Sequence, residues 1–286
     1  MRRSWPARIM LTAGVAFFLI WILFPISFTV MTSFEMPGAV GIKPYSWFPR
    51  EFTLDNYIVL LTGNNTVEGF TDRTGSVRGL MPSLLNSLLV STMMVISNII
   101  IGGTAAYAFS RYPFRGAKVM FGLLLVSRVI PSLAIIAPFF VALKTLGLIN
   151  TPTALIISYN VFTLPLVVWL MKSYFDSVPI EVEEAARIDG AGRTRTLIQV
   201  VAPLARPGLI AASLLIFLEA WGEFFYSLVL TNQLTLPPFI AGMRSLQTFS
   251  LTTVSAATII ALLPPVVLSI VFQRYIVSGL AQGSTK

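Results

Sequence analysis

Three ionisable side chains stand inside runs that are otherwise apolar: Arg128, Glu219 and Glu223. Charge near the centre of a bilayer is costly, so such residues face the interior of a bundle, pair with one another or line a solute pathway. Glu219 and Glu223 are four apart, a spacing that puts both on one face of a continuous helix. That face is expected to line a translocation cavity, with Arg128 paired to one of the two carboxylates. An ion pair that only fixes helix packing would carry the same signature. Trp221 and Phe224 flank the acids, followed by Phe225 and Tyr226. In membrane helices, aromatic residues more often pack or anchor at the interface than bind solutes. Asn98 and Asn160 are weaker polar candidates within runs of the same kind.

Other chemistries are excluded by residue type. The 286 residues contain no His and no Cys. That removes imidazole acid–base catalysis, thiolate nucleophiles, disulfides and the usual transition-metal ligands. No G-x-x-x-x-G-K-[ST] phosphate loop, nucleophile elbow or H-E-x-x-H pattern occurs. No catalytic residue, metal site or resident cofactor is expected, and the chain does not read as an enzyme.

The elements that must hold these residues are membrane helices. Hydrophobic residues make up 55% of the chain and charged residues 11%, against about 25% charged in a soluble domain. A spanning helix needs about 20 mostly apolar residues. Six stretches qualify, at about 9–31, 83–109, 119–143, 153–174, 208–230 and 252–272. The fold class is therefore all-α, a polytopic membrane protein with six transmembrane helices in a single domain. The first stretch is longer than a secretory signal core and lacks a small-residue cleavage site, so it reads as a retained helix. The third contains Pro131 and Pro138, which neighbouring helices can accommodate. Gly102, Gly103, Ala105 and Ala106 in the second suit close helix packing. Residues 33–81 read as a loop rich in Pro and Gly, with one short helix at Asp55 to Leu61.

The net charge of +8 would suggest nucleic acid in a soluble protein. Here it reports topology. Apart from Arg128 near mid-span, thirteen of the other 19 Lys and Arg residues fall on the side of the N-terminus, Lys172 at the end of its span among them. By the positive-inside rule that side is the cytoplasm, which places both termini inside a multi-pass protein of the cell's inner (plasma) membrane. No nucleic-acid partner is expected.

The segment 175–207 is the most polar. Five acids (Asp176, Glu181, Glu183, Glu184, Asp189) and the bases Arg187, Arg193, Arg195 and Arg206 crowd into it. Pro179 suits a helix start, and acids in the first turn complement the helix dipole. Gly190 and Gly192 break that helix, and Thr194 to Val201 suit a second, ending before Pro203. This is a helix–turn–helix hairpin on the cytoplasmic side. Ala185 and Ala186 give it a flat surface that another backbone can approach.

Glu184-Ala185-Ala186-x-x-Asp189-Gly190-Ala191 resembles the EAA loop of ABC importer permeases. The family's following Ile-x-Leu-Pro is met here by Val200-Val201-Ala202-Pro203, with Ala in place of Leu. Further resemblance lies in Asn86-Ser87-Leu88, Ala108-Phe109-Ser110-Arg111, Trp221-Gly222-Glu223-Phe224 and the tail Gln273-Arg274-Tyr275 with Gly279-Leu280. Together these look like the MalG-type permeases of carbohydrate importers, over essentially the whole chain. Family members usually have Asn where Gly222 stands, so a side-chain contact is missing there.

The resemblance implies the type I ABC importer permease fold, a second homologous permease, an ATPase dimer at the cytoplasmic face and an extracytoplasmic substrate-binding protein. The hairpin would sit in a cleft of the ATPase, with Glu184 in contact and Gly190 shaping the turn. ATP and Mg would be bound by that partner, not by this chain. In such an importer the aromatics beside Glu219 and Glu223 suit stacking against sugar rings. The competing function is an ion-coupled secondary transporter that uses Glu219 and Glu223, which leaves the hairpin unexplained.

Overall fold

The computed structural model describes residues 5–36, 47–63, 79–245 and 250–283. Among them there is no strand, only an isolated antiparallel bridge between Glu35 and Phe52. The helices are α1 (Trp5–Ser33), α2 (Asp55–Thr62), α3 (Leu80–Arg111), α4 (Ala117–Val126), α5 (Ile136–Thr145), α6 (Pro152–Ser177) and α7 (Ile180–Ile188). They continue with α8 (Arg193–Thr196), α9 (Ala202–Leu204), α10 (Arg206–Trp221), α11 (Phe225–Leu230), α12 (Leu236–Ser245) and α13 (Leu251–Gly283). Four of them are long and apolar enough to cross a bilayer, and two bent helix pairs raise the number to six. The helices gather in two compact units, residues 1–81 with 239–263 and residues 82–238 with 264–286.

In the first unit, α1 has 29 residues, about 43 Å at 1.5 Å per residue, more than the ~30 Å hydrocarbon core requires. Its most apolar stretch is not buried at all by the rest of the chain. A helix apolar on every side needs lipid or another apolar surface around it. The expected short helix is α2, and Asn56 fastens it. The Asn56 amide donates to the carbonyls of Ser33 (3.1 Å) and Glu35 (2.8 Å) and accepts from the hydroxyls of Thr252 (3.2 Å) and Thr253 (3.0 Å). Tyr57 shares a 2.6 Å hydrogen bond with Ser33. Burial raises the pKa of that phenol above its ordinary value, and the Ser33 bond opposes the rise. The prolines and glycines at positions 37, 44, 69 and 75 of the expected loop lie outside the described residues.

In the second unit α3, α6 and α10 form the core. Two glycines let them approach. A Cβ on Gly208 would stand 2.2 Å from the ring of Tyr174. A Cβ on Gly102 would stand 2.9 Å from Val167. Of the expected small-residue patch, Gly102 marks the close contact, whereas Gly103 has nothing within 4 Å of its missing Cβ. Halfway along, Ser97 and Asn98 of α3 meet Asn160 of α6, at 3.2 and 3.0 Å to its carbonyl oxygen.

Two of the expected continuous spans are broken. The third consists of α4, two 3-10 turns (Ser127–Val129 and Ser132–Ile135) and α5, with a bend of 92°. The cause is Pro131. It has no N–H to donate, and it forces Ile130 into an extended conformation (φ −68°, ψ 121°). The carbonyl of Ser132 at the break accepts a 2.7 Å hydrogen bond from the Tyr226 hydroxyl. The fifth span stops at Trp221 and resumes as α11 at Phe225.

Candidate functional site

The hairpin starts where Pro179 precedes α7, with Glu181 and Glu183 in the first turn. It turns at Gly190, whose φ of +85° is a left-handed conformation that favours glycine. The amides of Gly190 and Ala191 close back onto the carbonyls of Arg187 (3.0 Å) and Ala186 (2.9 Å), which satisfies the end of α7. Gly192 has a negative φ (−68°) and serves as the extended residue before α8. The second arm differs from the expected single helix. It runs as α8, a π-helical turn at Leu197–Val201, and α9, which passes through Pro203 to Leu204. The helical run continues through Pro203 to Leu204 and does not end before it, and the π-helical turn lies just ahead of the proline. The path then bends by 84° into α10.

Glu184, Ala185, Asp189 and Gly190 are exposed on this hairpin, and Ala186 is half-buried. Ile188 is 87% exposed. The neighbouring carboxylate behaves in the opposite way. Glu183 is fully buried, and no sequence signal singled it out, because an acid in a first helical turn reads as a dipole partner. Its Oε2 accepts a 2.7 Å hydrogen bond from the Tyr107 hydroxyl. Its Oε1 lies 2.5 Å from Nε of Arg111, whose side chain is 7% exposed. Arg111 also donates to the Val178 carbonyl at 2.8 Å. Arg187 approaches Glu183 at 3.9 Å from the exposed side.

The intramembrane candidates separate into two groups. Arg128 sits in the 3-10 turn just before the break at Pro131, and its Nη2 lies 3.0 Å from Oε1 of Glu219. The two side chains are 37% and 44% exposed. Glu223 does not share their face, as the continuous-helix reading expected. The helix ends between them, and Glu223 turns back to cap α11. Its carboxylate accepts from the amides of Tyr226 (2.9 Å) and Ser227 (3.3 Å) and from the Tyr159 hydroxyl (2.5 Å). Trp221 is buried and stacked on Phe217, with ring centroids 5.4 Å apart, so it packs in the core of this chain. Phe224 is half-buried against Phe225. Asn98 and Asn160 are paired with each other. A cavity of about 470 Å³ between α3, α10 and α13 is lined by Val95, Leu209, Leu214, Phe217 and Phe272, walls too apolar for a polyol.

Exchange of the Arg128–Glu219 charges checks this pair. Both side chains lie at the edge of this chain's packed core, so the readout is transport. Arg128→Glu and Glu219→Arg are each expected to lower uptake about tenfold, equivalent to ~1.4 kcal/mol, and the double exchange to recover most of it. A double variant no better than the singles would show that the two groups do not act as a pair.

All-helical spans, two of them broken, and a polar hairpin held at one end of the bundle define a multi-pass membrane permease. The chain belongs to the family of binding-protein-dependent transport system inner membrane components, whose model matches residues 98–282. It is 33% identical to the sulfoquinovosyl glycerol transport system permease protein SmoH of Agrobacterium fabrum, over 92% of this chain and 89% of that protein. It is 32% identical to the trehalose/maltose transport system permease protein MalG of Thermococcus litoralis, over 100% of this chain and 99% of that protein. The fold is similar to that of a bacterial ABC transporter involved in the import of the acidic polysaccharide alginate. The TM-score is 0.74 at 24% identity, with 96% of this chain and 99% of that chain covered.

Proposed function

We propose that this chain forms half of the translocation pathway of an ATP-driven importer of a sugar or oligosaccharide. Two relatives that align over nearly their whole length carry names of sugar or glycoside transport systems, which supports the substrate class. A second, homologous permease completes the pathway, and an extracytoplasmic binding protein delivers the solute. The hairpin and both termini face the cytoplasm. There the hairpin docks on a separate ATPase dimer, which holds ATP and Mg. The observation that carries this reading is the division of labour on α7. Glu184, Ala185 and Asp189 point outward at the turn while Glu183 anchors the helix from behind. Arg128 and Glu219, beside the broken third span, are assigned to the pathway. Glu223, Trp221 and Phe224 support its wall.

Glu184→Lys is expected to leave the chain inserted in the membrane but to abolish substrate-stimulated ATP hydrolysis by the co-expressed complex. Normal ATPase co-purification together with normal uptake in that variant would refute the docking role. Uptake by the wild type that survives ATP depletion and collapses with an ionophore would refute the importer reading itself.

A further inference from the structure

We infer that Glu183, Arg111 and Tyr107 are positioning residues that make α3 and the hairpin move as one body during the transport cycle. This rests on the permease reading above. By chain connectivity the hairpin belongs only to α6, which precedes it, and to α10, which follows it. A force applied at Glu184 would reach those two helices through the backbone. It would reach α3 only through side chains.

Those side chains make a joint of unusual stiffness. The carboxylate of Glu183 is fully buried and accepts from both Tyr107 and Arg111, the last turns of α3. The same guanidinium holds the Val178 carbonyl just ahead of α7. Ser110 donates to Oδ1 of Asp176 at 2.6 Å, and Lys172 reaches the other oxygen at 2.6 Å, so the end of α6 is fastened as well. Beyond α3, the ring of Tyr112 lies 5.0 Å beneath the Arg193 guanidinium of the second hairpin arm. Both arms and the end of α6 are therefore gripped by one six-residue stretch of chain, Tyr107 to Tyr112.

A buried, hydrogen-bonded ion pair resists separation, because opening it leaves uncompensated charge away from water. The Arg128–Glu219 pair, by contrast, is a single 3.0 Å contact, whereas Glu183 and Arg111 are held by three bonds between them and their neighbours. Strain that enters through the hairpin is therefore relieved at the broken spans, where helical hydrogen bonding is already interrupted, and the clasp holds. The Ser97–Asn98–Asn160 bonds and the Gly102 contact extend the rigid body along α3 and α6.

The absence of cysteine allows paired spin labels to be placed without background. Labels at Thr104 on α3 and Glu181 on α7, both exposed, are read in the complete complex in lipid nanodiscs. The distance is expected to be the same in the resting and the vanadate-trapped states. Arg111→Lys is expected to broaden that distance and to raise the ATP hydrolysed per substrate imported several-fold. Tyr107→Phe, which keeps the ion pair, should give a smaller rise and covers the case in which Arg111→Lys does not assemble. Glu183→Arg with Arg111→Glu should bring the ratio back toward wild type.

A merely structural role would lower the yield of complex but leave the ratio unchanged in what survives, and that result overturns the proposal. So does a wild-type label distance that changes with trapping. A wild-type complex that shows no ATP-driven uptake at all refutes the permease reading, a distinct outcome.

Discussion

Glu183→Ala is expected to lower the stability of the folded chain by about 3–5 kcal/mol, the usual cost of removing one partner of a buried ion pair. Arg111 is 7% exposed and would keep only the Val178 carbonyl and a 3.2 Å contact to Ser110. Tyr107 would lose its acceptor in the same step. Against a total stability of about 5–15 kcal/mol, the change is large enough to deplete the protein in the membrane. Glu184→Ala, one residue along, removes an exposed side chain with no partner among the described residues and is expected to shift stability by about 0.5 kcal/mol or less. Thermal unfolding of the purified variants in detergent checks both. A Glu183→Ala protein that melts with the wild type would show that the carboxylate is not structurally required. The order should invert for ATP coupling, where Glu184 carries the larger effect.

Gly208→Ala is expected to be the second most damaging change. The new Cβ would fall 2.2–2.7 Å from three ring carbons of Tyr174, distances that real Cβ atoms do not show. The ring has little room to retreat, since Tyr174 is only 5% exposed within the core cluster. Helices α6 and α10 must therefore part. The cost should reach or exceed the ~1–3 kcal/mol typical of an overpacked core. Gly103→Ala is the matched control in α3, because nothing lies within 4 Å of its missing Cβ. There the lost backbone freedom of the unfolded chain should raise stability by about 0.4–1 kcal/mol. Equal melting temperatures for the two variants would refute the role given to the Tyr174 contact.

Much of this architecture was legible because a bilayer imposes strong composition rules. Six apolar runs, the short helix at Asp55 and the hairpin about Gly190 follow from hydropathy and turn chemistry. The pairing of Arg128 with a glutamate also follows, since a charge among apolar residues has few ways to be satisfied. The breaks were less legible. Pro131 was visible, but whether a proline kinks a helix or splits it depends on what meets the freed carbonyls. Here the Ile130 amide reaches the Ser127 carbonyl, and Tyr226, far along the chain, donates to the Ser132 carbonyl just past the proline. The same dependence governs Glu219 and Glu223. Their spacing implies a shared face only while the helix continues, and Glu223 instead caps the next helix. Glu183 was invisible for a related reason. Its burial depends on Tyr107 and Arg111 arriving from another span, and no local pattern encodes that meeting.

The π-helical turn at Leu197–Val201 bears on which insertions and deletions the chain can tolerate here. A turn of this kind takes up one residue more than an α-turn. A helical residue that is lost or gained rotates everything beyond it by about 100°. The connection between Gly192 and Gly208 is helical along most of its length, and its 84° bend at Ala205 leaves a single residue, not a loop, to absorb such a change. Gly208 faces Tyr174 only at the present count of residues. The number of residues along this stretch acts as a gauge that sets which side of α10 meets α6.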